Sequence, residues 1–162
     1  MRRPPLVEWT AAATGSPPDD DLAALLHVIA AGRGTRRAAS ISDDPVLVAW
    51  IAAALAPGTP LFVSGGAPSI ELFADDVDLH FVGGDWRAAL EPEAPFDLVH
   101  VGREPTADVD GVVALATPRA TLIVPLAAPE PGAGALWLDD GRLDATVVTS
   151  GSAAAVVAVV RG

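Results

Sequence analysis

The chain has 162 residues, of which 51% are hydrophobic, and 21 acidic against 10 basic residues give it a formal net charge of −11. It has no cysteine and no lysine, which excludes disulfides, thiol catalysis, thiolate zinc sites, Schiff-base chemistry and a P-loop lysine. So acidic a surface repels a phosphate backbone, so no nucleic acid is expected as partner.

Taken in chain order, Met1-Arg2-Arg3-Pro4-Pro5 sets up a twin arginine, but no apolar stretch of signal length follows it. The longest apolar runs, roughly 10–12 residues, are too short to span a bilayer. A cytoplasmic protein with no membrane association is expected. Residues 1–18 read as an N-terminal arm or linker, with Thr10 to Pro18 as loop, and residues 19–162 as one α/β domain.

Asp19-Asp20-Asp21 opens an amphipathic helix carrying Leu22, Leu25, Leu26 and Ile29, which Gly32 ends. Arg36 to Ser42 is a strand candidate. Asp44 at the cap and Pro45 in the first turn start a second helix, apolar on every side from Val46 to Ala56 and therefore buried. Strands follow at Pro60 to Ser64, Asp78 to Val82, Phe96 to Val101 and Ala120 to Pro125. Helical segments separate them at Pro68 to Phe73, Trp86 to Leu90 and Asp108 to Ala116, and residues 127–135 read as a loop. Two β-branched runs, Ala145 to Thr149 and Ala154 to Val160, flank Ser150-Gly151-Ser152 as a hairpin. Such alternation predicts a Rossmann-like three-layer sandwich, with a mainly parallel seven-stranded sheet and a C-terminal antiparallel hairpin.

Four segments carry a resemblance: Leu22-Ala-Ala-Leu-Leu26, Val82-Gly-Gly-Asp-Trp-Arg-Ala-Ala-Leu90, Phe96-Asp-Leu-Val-His-Val101 and Thr121-Leu-Ile-Val124. With the final hairpin they resemble the class I S-adenosylmethionine-dependent methyltransferases, most of all the small O-methyltransferases of the catechol and caffeoyl-coenzyme A type. The resemblance runs from about Asp21 to the C-terminus. It implies S-adenosylmethionine as cofactor, with Ser42, Ser64, Gly84, Asp85 and Trp86 at the cofactor positions and Asp85-Trp86 near the adenine. By analogy it also implies a homodimer or another protein partner.

This sequence departs from that pattern where the chemistry would sit. The Gly-rich loop after the first strand is replaced by Ser40-Ile41-Ser42-Asp43-Asp44-Pro45. Carboxylates at that helix start repel the carboxylate of the cofactor. Ser64 stands where the family has an acid for the ribose, and Ser64 cannot bind two hydroxyls as a carboxylate does. Gly102-Arg103 and Pro125-Leu126 replace the oxygen ligands of a divalent metal. No metal site is expected.

Several residues carry two readings. His80, His100 and His27 are metal or base candidates, with structural packing as the alternative; His80 and His100 fall in strands taken as neighbours. Asp85 caps the helix at Trp86 or contacts a ligand; Trp86 stacks on a purine or covers the sheet edge. Gly65-Gly66 is a loop feature or a ligand cradle. Asp75-Asp76 and Asp139-Asp140 lack the spacing of a calcium loop. Arg103 faces an anion if the crevice binds some other small ligand.

The expectation is a degenerate methyltransferase-like domain without catalytic residues or cofactor, acting as a structural, regulatory or partner-binding module. The alternatives are a divergent, metal-independent S-adenosylmethionine-dependent O-methyltransferase and a small-ligand binding protein using the same crevice.

Overall fold

A strand buried on both faces needs apolar side chains at successive positions, and the central strands have them. In the computed structural model, which describes residues 4–15, 20–32, 34–65, 78–102, 108–127, 132 and 134–162, β1 (Ala38–Ile41), β2 (Leu61–Ser64) and most of β4 (Phe96–Val101) are buried throughout. The remaining strands are β3 (Leu79–Val82), β5 (Ala116–Leu126), β6 (Leu143–Ser150) and β7 (Ala153–Val160). They form one seven-stranded sheet of order β3-β2-β1-β4-β5-β7-β6. β1 to β5 run parallel, and β7 joins β5 antiparallel and pairs with β6 as a hairpin.

Pleat alternation sorts the strand residues into two cores. Ala38, Leu61, Val63, Leu98 and Ile123 pack under α2 (Asp20–Ala31) and α3 (Pro45–Ala54). Ala39, Phe62, Val99, Leu122 and Val156 face the other way, against Leu90 of α4 (Trp86–Leu90), Val109 and Val112 of α5 (Val109–Ala114) and Trp137 of α6 (Ala135–Leu138). Helices on both faces force parallel strands to be apolar on both, which is the continuous pattern of the sequence. α3 is buried from Val46 to Ala52, as its all-round apolarity requires.

The expected three-layer architecture and C-terminal hairpin are present, and four local readings need correction. Residues 10–14 are not loop: a helix, α1 (Pro5–Thr14), runs through them and ends at Gly15 in the left-handed conformation. Pro5 suits a first turn, the alanines propagate helix, and fully buried Val7 and Thr10 anchor it on the α3 side of the sheet. Ala116 belongs to β5 rather than to the preceding helix, and β5 is longer than expected because its first residues pass a register shift at Phe96/Leu98. Residues 135–138, partly assigned to loop, form α6, since Trp137 must be covered. His80 and His100 are not on neighbouring strands; β2 and β1 lie between β3 and β4. The expected helix at Pro68 to Phe73, together with Gly66, Asp75-Asp76 and Arg103, lies outside the described residues. No helix among the described residues is long and apolar enough to cross a membrane.

Candidate functional site

Strand order reverses between β1 and β4, and in open α/β sheets the crevice at the carboxyl ends of such strands collects ligands. A cleft of about 600 Å³ lies there, lined from β1 and its loop by Ile41, Ser42, Asp43 and Asp44. Ser64 ends β2 and Gly65 follows it, Gly102 follows β4, and Gly84, Asp85 and Trp86 close the far side. All five residues singled out from the sequence, Ser42, Ser64, Gly84, Asp85 and Trp86, thus share one concavity. Its size suits a small molecule.

The loop after β1 shapes this cleft. Ser42 N–H donates to the Ser64 carbonyl at 3.0 Å, and Gly102 N–H donates to the Ile41 carbonyl at 2.6 Å, so the strand pairing runs on into the loop. Ser42 Oγ accepts from Asp44 N–H at 3.1 Å. One carboxylate oxygen of Asp44, Oδ1, accepts from Val46 N–H at 3.0 Å and Leu47 N–H at 3.2 Å. The start of α3 is therefore capped by the chain's own carboxylate, as expected of Asp44.

Glycine is required at Gly65 on two grounds. Its φ is +145°, and a Cβ there would run into the Ser42 carbonyl and lie 2.7 Å from Asp43 Oδ1. No side chain, acidic or otherwise, fits at that position. Gly102 is crowded too, a Cβ lying 3.1 Å from Ser42 Oγ and 3.1 Å from the Ile41 carbonyl. Gly65 was weighed only as a loop feature or ligand cradle, and Gly102, Ile41 and the two loop aspartates were not among the candidate site residues. The only signal for Gly102 was its place just after an apolar strand.

On the opposite wall, Asp85 Oδ1 accepts from Arg87 N–H at 3.1 Å and Ala88 N–H at 3.2 Å. Asp85 caps α4 and also lines the cleft. Trp86 is held from behind: Gly111 of α5 is so close that a Cβ there would sit 2.9 Å from the indole Cη2. Arg87, whose guanidinium lies 5.3 Å from the Trp86 ring centroid, pairs with Asp108 at the cap of α5.

Beneath Ser42 and Gly102 lies a buried polar pair. Ser40 Oγ and His100 Nδ1 are 2.8 Å apart, on register partners of β1 and β4, and neither residue is exposed. Burial lowers the His100 pKa from 6.5 to about 4, so the ring is neutral at pH 7, and its Nε2 has no hydrogen-bond partner. His80 instead stacks on Phe62 and reaches Asp78 at 2.8 Å, while His27 Nδ1 lies 3.4 Å from the Trp50 carbonyl. The three histidines stand apart, and among the described residues no three His, Asp or Glu side chains group as metal ligands. Asp140 is engaged by Arg142, whose side-chain hydrogen bonds hold its carboxyl at about 2.

No protein-family model matches this chain, and no curated protein does. Solved structures do. A methyltransferase from Geobacter sulfurreducens is similar with a TM-score of 0.78 at 15% identity, over 99% of this chain and 92% of that one. The O-methyltransferase TomG from Streptomyces achromogenes, solved with S-adenosylmethionine, gives 0.75 at 20% identity, over 100% and 92%. The O-methyltransferase from Bacillus cereus, solved with S-adenosylhomocysteine, gives 0.72 at 15% identity, over 99% and 93%. At such identities the likeness establishes the fold. The chain has the class I S-adenosylmethionine-dependent methyltransferase fold, in the form seen in small O-methyltransferases.

Proposed function

We propose that this chain keeps the methyltransferase scaffold without methyl transfer and acts as a binding module through its cleft. The observation that carries this is the Asp44 cap. The first amides of α3 are the natural anchor for an anionic group, and Asp44 Oδ1 already takes those of Val46 and Leu47. Asp43 and Asp85 add two more carboxylates to the lining. A bound carboxylate would meet repulsion where it needs donors. Ser64, which ends β2, cannot hold two ribose hydroxyls as a carboxylate does, and Gly65 after it admits no side chain. The residues present therefore do not fit S-adenosylmethionine bound in the manner of the resembled family.

A second reading has its own support. The cleft has the volume of a small-molecule site, and Asp85 and Trp86 line it. A divergent S-adenosylmethionine-dependent methyltransferase, free of metal, would use these two residues at the adenine.

A thermal-shift titration with S-adenosylmethionine and S-adenosylhomocysteine separates the two. A ligand at 100 times its Kd adds about 2.7 kcal/mol of stability, which is several degrees in a chain of this size. No shift up to millimolar ligand is expected. A shift at micromolar concentration overturns the binding-module reading in favour of the enzyme.

A further inference from the structure

The two edges of the sheet are built differently. β3, at one edge, has four residues, and its exposed His80 pairs with Asp78 just before it at 2.8 Å. A short strand beside a charge is a poor template for another strand. β6, at the other edge, has eight residues and a single charge, Asp144, which Arg161 holds at 2.6 Å. From Ala145 to Ser150 it is uncharged, mostly β-branched and free of proline. The usual devices that keep a second chain off an edge are missing from that stretch.

The backbone of β6 shows which groups the edge offers. Arg161 N–H donates to the Arg142 carbonyl at 2.8 Å, and continuing the β6–β7 register sets these two residues opposite each other. Hydrogen-bonded pairs alternate along an antiparallel ladder, so Asp144, Thr146 and Val148 bond to β7. The N–H and C=O groups of Ala145, Val147 and Thr149 therefore point outward along the open edge. Leu143 and Ala145 pack in the core on the α6 side, so the pleat turns the Val147 side chain to that side too. α6 packs against β6, and its Leu136 and Leu138 are exposed, as is Val147. Three of the five exposed large apolar side chains among the described residues thus belong to α6 and β6; Trp9 of α1 and Val28 of α2 are the others.

Charge decides the occupant. A basic partner would find on β6 only the Asp144 that Arg161 already holds. A second copy, itself at −11, can approach only where neither chain presents unpaired charge, and this edge meets that condition. Laid antiparallel against its own copy about a two-fold axis at Val147, β6 sets Val147 opposite its counterpart and Ala145 opposite Thr149, so all three outward residues bond. Asp144 then falls opposite Ser150, and no carboxylate meets another. We infer that the chain forms a homodimer through β6, the two sheets joining into one with the α6 helices on the same face. The cleft lies at the carboxyl ends of β1, β2 and β4, with β5 and β7 between it and this edge, so the dimer stands apart from the proposed function.

Sedimentation velocity on the full chain, across concentration and salt, reads the oligomeric state. A monomer–dimer equilibrium is expected, tighter at high salt, where repulsion between two acidic copies is screened. Val147→Lys and Val147→Glu each bring like charges together on the axis and are expected to weaken dimerisation about tenfold or more. An equimolar mixture of the two variants is expected to dimerise again. Trp9→Lys, on α1, is expected to leave the equilibrium unchanged. Amide exchange on the unaltered chain needs no variant: at high concentration the N–H groups of Ala145, Val147 and Thr149 slow far more than those of Thr146 and Val148, which β7 already holds. A monomer at every concentration up to millimolar overturns the inference. So does a dimer that survives Val147→Lys, one that Trp9→Lys disrupts, a variant mixture that stays monomeric, or a dimer that forms without slowing the three amides.

Discussion

The two ends of the sheet treat charge in opposite ways. At the amino ends of the strands, Arg37 reaches Glu93 at 2.5 Å and lies over the rings of Phe62 and Phe96, 4.5 and 5.8 Å from their centroids. Beside it Asp97 accepts from Arg36 N–H and from the Thr117 hydroxyl, and Asp78 meets His80, which stacks on Phe62. The acids of this cluster are answered within it. At the carboxyl ends Asp43, Asp44 and Asp85 surround a cleft that no described cation lines. A closed, internally paired cluster stabilises the fold and asks for nothing further. At the carboxyl ends, by contrast, the carboxylates of Asp44 and Asp85 are answered by the backbone amides of the helices they cap.

The contrast is broken most severely by Phe96→Ala. This fully buried ring supports the amino-end cluster, and its loss is expected to cost about 3–5 kcal/mol, read from the urea midpoint. Next is His100, in the interior toward the carboxyl ends. Its folded pKa, about 4, lies below the ordinary 6.5, so the unfolded chain takes up the proton first. The stability held by the neutral ring is complete above pH 6.5 and is lost as pH falls toward 4, about 3 kcal/mol in all. Denaturation from pH 7 to pH 4 measures it, and a His100→Gln variant that keeps the same slope would show that another group is responsible. Gly65→Ala forces a Cβ against the Ser42 carbonyl at a φ of +145° and is expected to cost about 2 kcal/mol, with the cleft altered as well. Asp44→Ala removes the α3 cap at about 1 kcal/mol, whereas Asp44→Asn should be close to neutral; circular dichroism melts compare them. The smallest effect is Glu93→Gln, whose half-exposed pair with Arg37 is worth no more than about 0.5 kcal/mol.

Much of the fold was legible because local rules and the global fold agree. Leu22 to Ile29 has helical spacing, Asp44-Pro45 is a helix start, and Phe96 to Val101 is a strand whose alternate residues feed both cores. Two of the misreadings share one cause. α1 and α6 have alanines, prolines or glycines at their margins, and they exist because Val7 and Trp137 are covered by distant parts of the chain. Tertiary burial overrode weak local signals there. Of the cleft, Ser42, Ser64, Gly84, Asp85 and Trp86 were legible through the resemblance and Gly65 as one of two readings of a diglycine, while Gly102 became part of it only through the approach of Ser42.

By itself, then, the sequence determined the alternation of the strands with α2, α3, α4 and α5, the buried α3 and the cap at Asp44. These depend on residues a few positions apart, and such interactions are set by spacing alone. Only the tertiary structure decided that β3 and β4 are separated by β2 and β1, that Ser40 and His100 pair in the interior, and that three carboxylates share one cleft with Trp86. Each of these joins residues tens of positions apart. Their meeting is fixed by strand order, which packing on both faces of the sheet selects and no local pattern encodes.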